Sequence, residues 1–215
     1  QLGEALVRQA DWIERFNVVK GFLNLTLSPA CFASGLKEAL AHPKWGHQDR
    51  GSMPQVMVEY SSPNTNKPLH LGHLRNNFLG YSVSQILEAA GHEVVKVQII
   101  NDRGIHICKS MVAWQKFGNG ETPGSTGEKG DKLVGRYYVA FDQAFKAELA
   151  ERIEQGMDAK EAEAACPIMQ EARTMLQRWE QDDPDVVSLW KTMNGWVYDG
   201  FNATYEDMGV TFDKL

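Results

Sequence analysis

Two short apolar runs on either side of a helical pattern limit the folds open to this chain. The runs "QVMVEY" (55–60) and "EVVKVQII" (93–100) have the length and composition of buried strands. Between them apolar residues recur every three or four positions, namely Leu74, Phe78, Leu79, Val83, Ile86, Leu87 and Ala90. Gly91 follows, where a helix C-terminus favours glycine. This order predicts a βαβ unit with a right-handed crossover, and therefore an α/β fold with a parallel sheet.

The segment "SSPNTNKPLHLGHLRNN" (61–77) joins the first run to the helical pattern. Ligands of parallel sheets bind beyond the carboxyl ends of the strands, and a helix N-terminus favours phosphate. Gly72 lets a ligand approach the backbone, and His70 and His73 lie about one turn apart. Lys67 adds a mobile positive charge. The segment predicts a polyphosphate site in which the histidines act as donors rather than bases.

The histidine pair has two other possible interpretations. A metal site needs three or four ligands, and the nearest further candidates, His106 and Cys108, belong to another loop. We therefore predict no metal site. Two surface histidines that only cap a helix are common, but that interpretation leaves Asn64, Asn66 and Lys67 unexplained.

The N-terminal part of the chain has its own pattern. Residues 2–16 resemble a helix, "VVKGFLNLTL" (18–27) predicts one strand, and 30–41 predicts a short helix. Residues 41–54 are rich in Gly, Pro and polar residues without a hydrophobic period, so we predict a linker and a domain boundary there.

From residue 131 onward the pattern becomes helical. Three apolar series follow the loop at 118–130: Leu133, Tyr137, Phe141, Phe145, Leu149 and Ile153; then Ile168, Ala172, Met175 and Trp179; then Val186, Trp190, Met193, Val197, Phe201 and Tyr205. They predict a helical subdomain whose aromatic residues belong to the core.

Composition excludes several classes of protein. No run approaches the roughly 18 apolar residues of a membrane helix, and no signal peptide is recognisable. These two observations predict a cytoplasmic protein. The three cysteines are widely spaced and odd in number, which indicates reduced thiols rather than a disulfide framework. The net charge of −6 argues against a surface that coats nucleic acid.

The segment "VEYSSPNTNKPLHLGHLRN" (58–76) resembles the signature region of the arginyl-tRNA synthetases, class I aminoacyl-tRNA synthetases, with "HLGH" as its HIGH motif. "GFLNLTLS" (21–28) and "MGVTFDKL" (208–215) resemble flanking parts of that family. The resemblance implies a Rossmann-like catalytic core at 51–117. It also implies the end of an N-terminal add-on domain and a linker at 1–50, and a helical insertion that leads back to the core at 118–215.

The resemblance also implies roles for single residues. Glu59, Ser61 and Asn64 match positions that contact L-arginine, and a carboxylate suits a guanidinium. The nucleotide-binding positions are Asn66, His70, Gly72 and His73, and the catalytic ones are Lys67, His70 and His73. The implied reaction is the formation of arginyl-adenylate from ATP, with Mg²⁺ accompanying the nucleotide, and transfer of arginine to tRNA(Arg).

Two features depart from the family pattern. The segment "NDRGIHICK" (101–109) differs from the usual GDWGTQFG, so we assign the loop no ligand contacts. Neither the KMSK-like loop nor the anticodon-binding helical domain lies within the chain. We therefore expect a fragment that is inactive alone and whose tRNA contacts lie mainly outside it, with a new strand beginning in "TFDKL" (211–215).

Two other functions are compatible with an HxGH segment. A small nucleotidyltransferase would need the phosphate site but neither Glu59 with Asn64 nor a long helical insertion. A non-catalytic synthetase-like binding module would not require Lys67 or the histidines. The presence of these residues favours the synthetase.

Overall fold

The computed structural model describes residues 1–214. Within that range the elements are α1 (Leu2–Gln9), β1 (Ile13–Val19), β2 (Phe22–Leu27), α2 (Pro29–Ala41), β3 (Met53–Glu59), α3 (Leu71–Ala89), β4 (His92–Val97), α4 (Ile105–Phe117), α5 (Pro123–Thr126), α6 (Gly130–Glu154), α7 (Ala159–Ala165), α8 (Pro167–Glu180) and α9 (Pro184–Met208).

The N-terminal part contains a β-hairpin where the sequence predicted a single strand over 18–27. β1 and β2 pair antiparallel around Lys20 and Gly21, whose φ angles of 50° and 84° form the two-residue turn that matches strand twist. The predicted helix over 2–16 is also wrong beyond α1, because Ile13 to Phe16 belong to β1. α2 confirms the predicted helix, with Ser28 as its N-cap and proline in its first turn.

The predicted βαβ unit is confirmed. β3 and β4 pair in parallel, with Met57 opposite Val95, and α3 forms the connection between them. The prediction that both strands are buried is wrong for β3, which has no buried residue. β4 buries only Val94. In the described chain these strands form a two-stranded sheet, which covers little of its own surface.

The buried face of α3 is the reverse of the one that apolar periodicity suggests. Four of its apolar residues are about half exposed or more, namely Phe78, Leu79, Val83 and Ile86. Asn77 and Ser84 are fully buried instead, and Gly80 packs directly against the Tyr60 ring. Ser84 satisfies its own hydroxyl by donating to the Gly80 carbonyl at 2.8 Å.

The helical part has one hydrophobic core shared by α4, α6, α8 and α9. The three predicted apolar series correspond to α6, α8 and α9. The segment predicted as a loop after Asn101 becomes α4 at Ile105, and its buried Met111 joins this core. Residues before and after the predicted domain boundary at 117/118 thus share one core. The boundary itself remains a prediction.

The end of the described chain returns to the sheet. Lys214 forms a parallel bridge with Val97, and the Gln98 amide donates to the Lys214 carbonyl at 3.2 Å. This pairing agrees with the predicted strand, whose Leu215 lies outside the described residues. Phe212 stacks on Tyr60 with ring centroids 4.6 Å apart, next to the predicted site.

Cys31, Cys108 and Cys166 are free. Burial raises the pKa of the Cys108 thiol to about 12, so it stays protonated. Among residues 1–214, no helix has both the length and the apolar character needed to cross a membrane.

Candidate functional site

The predicted site begins where β3 ends in a strained turn. Ser61 and Ser62 have φ angles of 67° and 44°, a region that costs a residue other than glycine about 1 kcal/mol or more. Hydrogen bonds offset that strain. Ser61 is buried and its Oγ lies 2.7 Å from the Tyr205 Oη, which donates to the Gln98 Oε1 at 3.0 Å. The Ser61 hydroxyl is thus engaged within the protein, and its contact with a ligand remains a prediction.

Ser62 orients Glu59, the residue predicted to bind the guanidinium of arginine. The sequence did not single out Ser62. Its Oγ donates to the Glu59 Oε1 at 2.7 Å and accepts from the Ile99 amide at 3.1 Å. The Glu59 side chain is exposed at the carboxyl end of β3. Its Oε2 and the remaining lone pair of Oε1 therefore stay available to a cationic ligand.

Asn64 lies beside the chain that continues from the carboxyl end of β4. Asn64 and Asn101 form a parallel bridge, and the Asn101 Nδ2 donates to the Asn64 Oδ1 at 2.9 Å. This bond fixes the amide of Asn64 and leaves its Nδ2 as a donor. The structure thereby brings Glu59, Ser62 and Asn64 to one edge of the sheet.

His70 and His73 cap the N-terminus of α3. The Gly72 amide donates to the His70 Nδ1 at 3.1 Å, and the His70 amide donates to the His73 Nδ1 at 3.2 Å. Because each Nδ1 accepts, the ring proton of each neutral histidine lies on Nε2. Both rings are therefore Nε2–H donors, with centroids 4.1 Å apart.

The pKa of His73 agrees with a neutral ring. Burial lowers that pKa below its ordinary value, and the neighbouring His70 and Lys67 lower it further. Both histidines thus cap the helix, and the cap fixes the tautomer that the predicted donation to phosphate requires.

Gly72 has a local role besides the predicted one. A Cβ at this position would lie 2.9 Å from the Cε1 of His70, so glycine leaves room for the capping ring. Contact between the Gly72 backbone and a ligand remains a prediction.

Lys67 and Asn66 precede the cap on a loop that packs against α6. A Cβ at Gly135 of α6 would lie 2.6 Å from the Pro68 Cδ and 3.6 Å from the Lys67 Cα. Asn66 is 5% exposed, and its Oδ1 has no hydrogen-bond partner in the described part of the chain. Its predicted contact with the nucleotide remains a prediction. Residues 1–214 contain no group of three or more His, Cys, Asp or Glu side chains that could hold a metal.

The lowered pKa of His73 predicts a pH dependence of stability. The pKa of His73 is 6.5 in the unfolded state and lower in the folded state, so the folded state binds this proton less tightly. The contribution of His73 to stability is therefore fully present above pH 6.5. It should decrease as the pH falls from 6.5 through the lowered folded value. His73→Gln, which can still cap from the third helical position, should lack this contribution. Urea unfolding of both proteins at pH 7.5 and 5.5 measures it. Equal losses of stability in the two proteins would contradict the assignment.

Comparisons with known proteins show the family of the chain. The family described as "tRNA synthetases class I (R), catalytic domain" matches residues 35–214. The chain is 58% identical to the arginine–tRNA ligase of Bacteroides thetaiotaomicron and 56% identical to that of Porphyromonas gingivalis strain W83. Each of these matches covers 100% of this chain and 36% of the relative. The chain thus spans little more than a third of the length of the curated relatives that it matches.

Solved structures give the same result. The Thermus thermophilus arginyl-tRNA synthetase matches with a TM-score of 0.58 at 26% identity, over 99% of this chain and 31% of that one. The Plasmodium falciparum arginyl-tRNA synthetase shares the fold, with a TM-score of 0.51 at 16% identity, over 100% of this chain and 35% of that one.

Proposed function

Because this chain belongs to the family of class I arginyl-tRNA synthetase catalytic domains, we propose that it supplies the ATP-binding and arginine-binding residues of an arginine–tRNA ligase. The observation that carries the proposal is the histidine cap of α3. It joins a helix N-terminus to two rings whose Nε2–H groups are donors, which suits a triphosphate.

The proposed first step is the activation of L-arginine. A carboxylate oxygen of arginine attacks the α-phosphorus of ATP, the bond from that phosphorus to the bridging oxygen breaks, and pyrophosphate leaves with the electron pair. Negative charge grows on the leaving pyrophosphate. His70, His73 and Lys67 would stabilise that charge as fixed donors without taking up a proton. Mg²⁺ would enter on the triphosphate oxygens, and we assign it no protein ligand.

Arginine would be recognised at the edge of the sheet. A guanidinium has only donors, which suits the Glu59 carboxylate that Ser62 orients. The Nδ2 of Asn64 is a donor, which suits the α-carboxylate of the amino acid. Asn66 and the Gly72 backbone would contact the nucleotide.

The second step and its partner follow from the family. The terminal ribose hydroxyl of tRNA(Arg) would attack the acyl carbon of arginyl-adenylate, and AMP would leave. We infer that the tRNA binds mainly outside this chain and that the protein acts in the cytoplasm, where translation takes place.

Calorimetry with a non-hydrolysable arginyl-adenylate analogue tests the proposal. We expect the chain to prefer the arginyl analogue to its lysyl and glutamyl counterparts. We expect Glu59→Gln to weaken binding of the arginyl analogue by about 30-fold or more, as the loss of a charged hydrogen-bonded partner does. Glu93→Gln, the same change at an exposed position of β4, is the matched control. Equal binding of the three analogues would refute the arginine assignment, and no binding of any would count against the site as a whole.

A further inference from the structure

One residue of the loop between β4 and α4 is held by three side chains of a distant helix. The Tyr198 Oη donates to the Asp102 Oδ2 at 2.7 Å, and the Trp190 Nε1 donates to the Asp102 carbonyl at 2.8 Å. The Asn194 Nδ2 lies 3.5 Å from the same carbonyl. These three residues of α9 are spaced by four, so they lie on one helix face.

The hydrogen bonds of Asp102 hold both its side chain and its backbone. Tyr198 donates to a carboxylate in a partly buried place, where hydrogen bonds to ionised groups contribute more than neutral ones. Burial, and then the bond to Asp102, raise the pKa of Tyr198, so its hydroxyl keeps the proton that it donates. Trp190 adds the Asp102 backbone, so both ends of the residue are fixed to α9.

The residue before Asp102 is the one that orients Asn64. The Asn101 amide donates to the Pro63 carbonyl at 3.0 Å, and the Thr65 amide donates to the Asn101 carbonyl at 3.2 Å. With the side-chain bond from the Asn101 Nδ2 to the Asn64 Oδ1, three hydrogen bonds join Asn101 to residues 63–65. A displacement of Asp102 would therefore move Asn101 and turn the Asn64 amide.

We propose that Asp102, anchored to α9 by Tyr198 and Trp190, is a positioning residue that sets the orientation of Asn64 for L-arginine. The role rests on the proposed function of Asn64. Through it the helical part of the chain contributes to arginine recognition without touching the amino acid. It also gives a function to the loop whose sequence departs from the usual family pattern.

Tyr198→Phe tests the proposal, because it removes one oxygen and leaves the ring in place. We expect solvent exchange of the Asn101 side-chain amide, followed by NMR, to accelerate by about tenfold, with a shift of the Asn64 side-chain resonances. The indole N–H of Trp114, which donates to the Glu121 carbonyl at 2.8 Å elsewhere in the fold, is the internal reference. In an L-arginine titration the Kd should rise about tenfold, because small misplacements of a binding group are costly, while the Kd for ATP stays unchanged.

Tyr138→Phe is the matched control, since it removes a tyrosine hydroxyl whose hydrogen-bond partner within residues 1–214 is His106, 3.0 Å away on α4. It should leave the Asn101 and Asn64 resonances as they are. Unchanged exchange at Asn101 in Tyr198→Phe would overturn the proposal.

Two further outcomes are also decided. If Tyr198→Phe does not fold, Asp102→Ala takes its place, because it removes both acceptor oxygens of the side chain, with the same resonances as the readout and the same result required. The amide measurement needs no ligand. If Tyr198→Phe shows the exchange effect but the wild-type chain does not respond to L-arginine, the proposed function is therefore refuted and the positioning contact stands.

Discussion

Replacing Gly200 with alanine should destabilise the protein by about 3 kcal/mol, the upper end of the usual cost of overpacking. The same replacement at Gly195, five residues earlier on α9, should stabilise it by about 0.5–1 kcal/mol. Two identical substitutions in one helix are thus expected to act in opposite directions.

The difference lies in what each new methyl group meets. A Cβ at Gly200 would lie 2.6 Å from the Asp131 Oδ1 and 2.8 Å from the Asp131 backbone nitrogen. Asp131 is 1% exposed in the first turn of α6 and pairs with the Lys129 Nζ at 3.4 Å, so neither its backbone nor its carboxylate can yield cheaply. At Gly195 the new Cβ would meet, among residues 1–214, no atom within 4 Å besides its chain neighbours and the adjacent backbone of α9, so only the gain in helix propensity remains.

Urea unfolding followed by tryptophan fluorescence measures both changes, because Trp114, Trp179, Trp190 and Trp196 all lie in or against the helical core. Changes of the same sign in the two variants would contradict the close packing of α6 against α9.

The second large effect is expected at His70, where one side chain has two separable roles. Its Nδ1 caps α3, and its Nε2 is the proposed donor to phosphate. Asparagine places an oxygen near the position of Nδ1 and is a preferred N-cap, but it has no group at the position of Nε2. Glutamine places its NH₂ near Nε2 and is not a preferred N-cap.

His70→Asn should therefore lower kcat of arginine activation by about 100-fold, as loss of one donor to a developing charge does. Its stability should stay within about 0.5 kcal/mol of the wild type. His70→Gln should keep activity within about tenfold, since the donor is replaced, and lose about 1 kcal/mol of stability with the cap.

The activity is measured as ATP–pyrophosphate exchange by the polypeptide that carries this chain, and the stability by urea unfolding. If glutamine lowered kcat as far as asparagine does, the proposed donor role of Nε2 would be wrong. If asparagine destabilised α3, the capping assignment would be wrong.

The sequence by itself determined the local elements and the chemistry of the cap. The βαβ unit, α2, α6, α8 and α9 follow from the spacing of apolar residues and from end signals, which act within a few residues of chain. The cap of α3 is equally local, because His70, Gly72 and His73 bond to each other within one turn. The sequence did not predict the hairpin at Lys20, because apolar residues stand directly on both sides of its two-residue turn, as they would in one continuous strand.

Only the tertiary structure decided which surfaces and partners these elements meet. α3 buries Asn77 and Ser84 and exposes Phe78 and Ile86, because the Tyr60 ring packs against Gly80 on that face. No pattern within the helix encodes this. Ser62 rather than Ser61 reaches Glu59, because the left-handed backbone of Ser61 and Ser62 turns the chain back toward the end of β3.

The hydrogen bonds to Asp102 show most clearly what only the tertiary structure decided. Its partners Trp190 and Tyr198 lie 88 and 96 residues away along the chain. The sequence pattern predicts Trp190 as a core residue and gives Tyr198 no role. Hydrogen bonds over such a separation depend on how the helices pack, and packing is a property of the assembled fold rather than of any local segment.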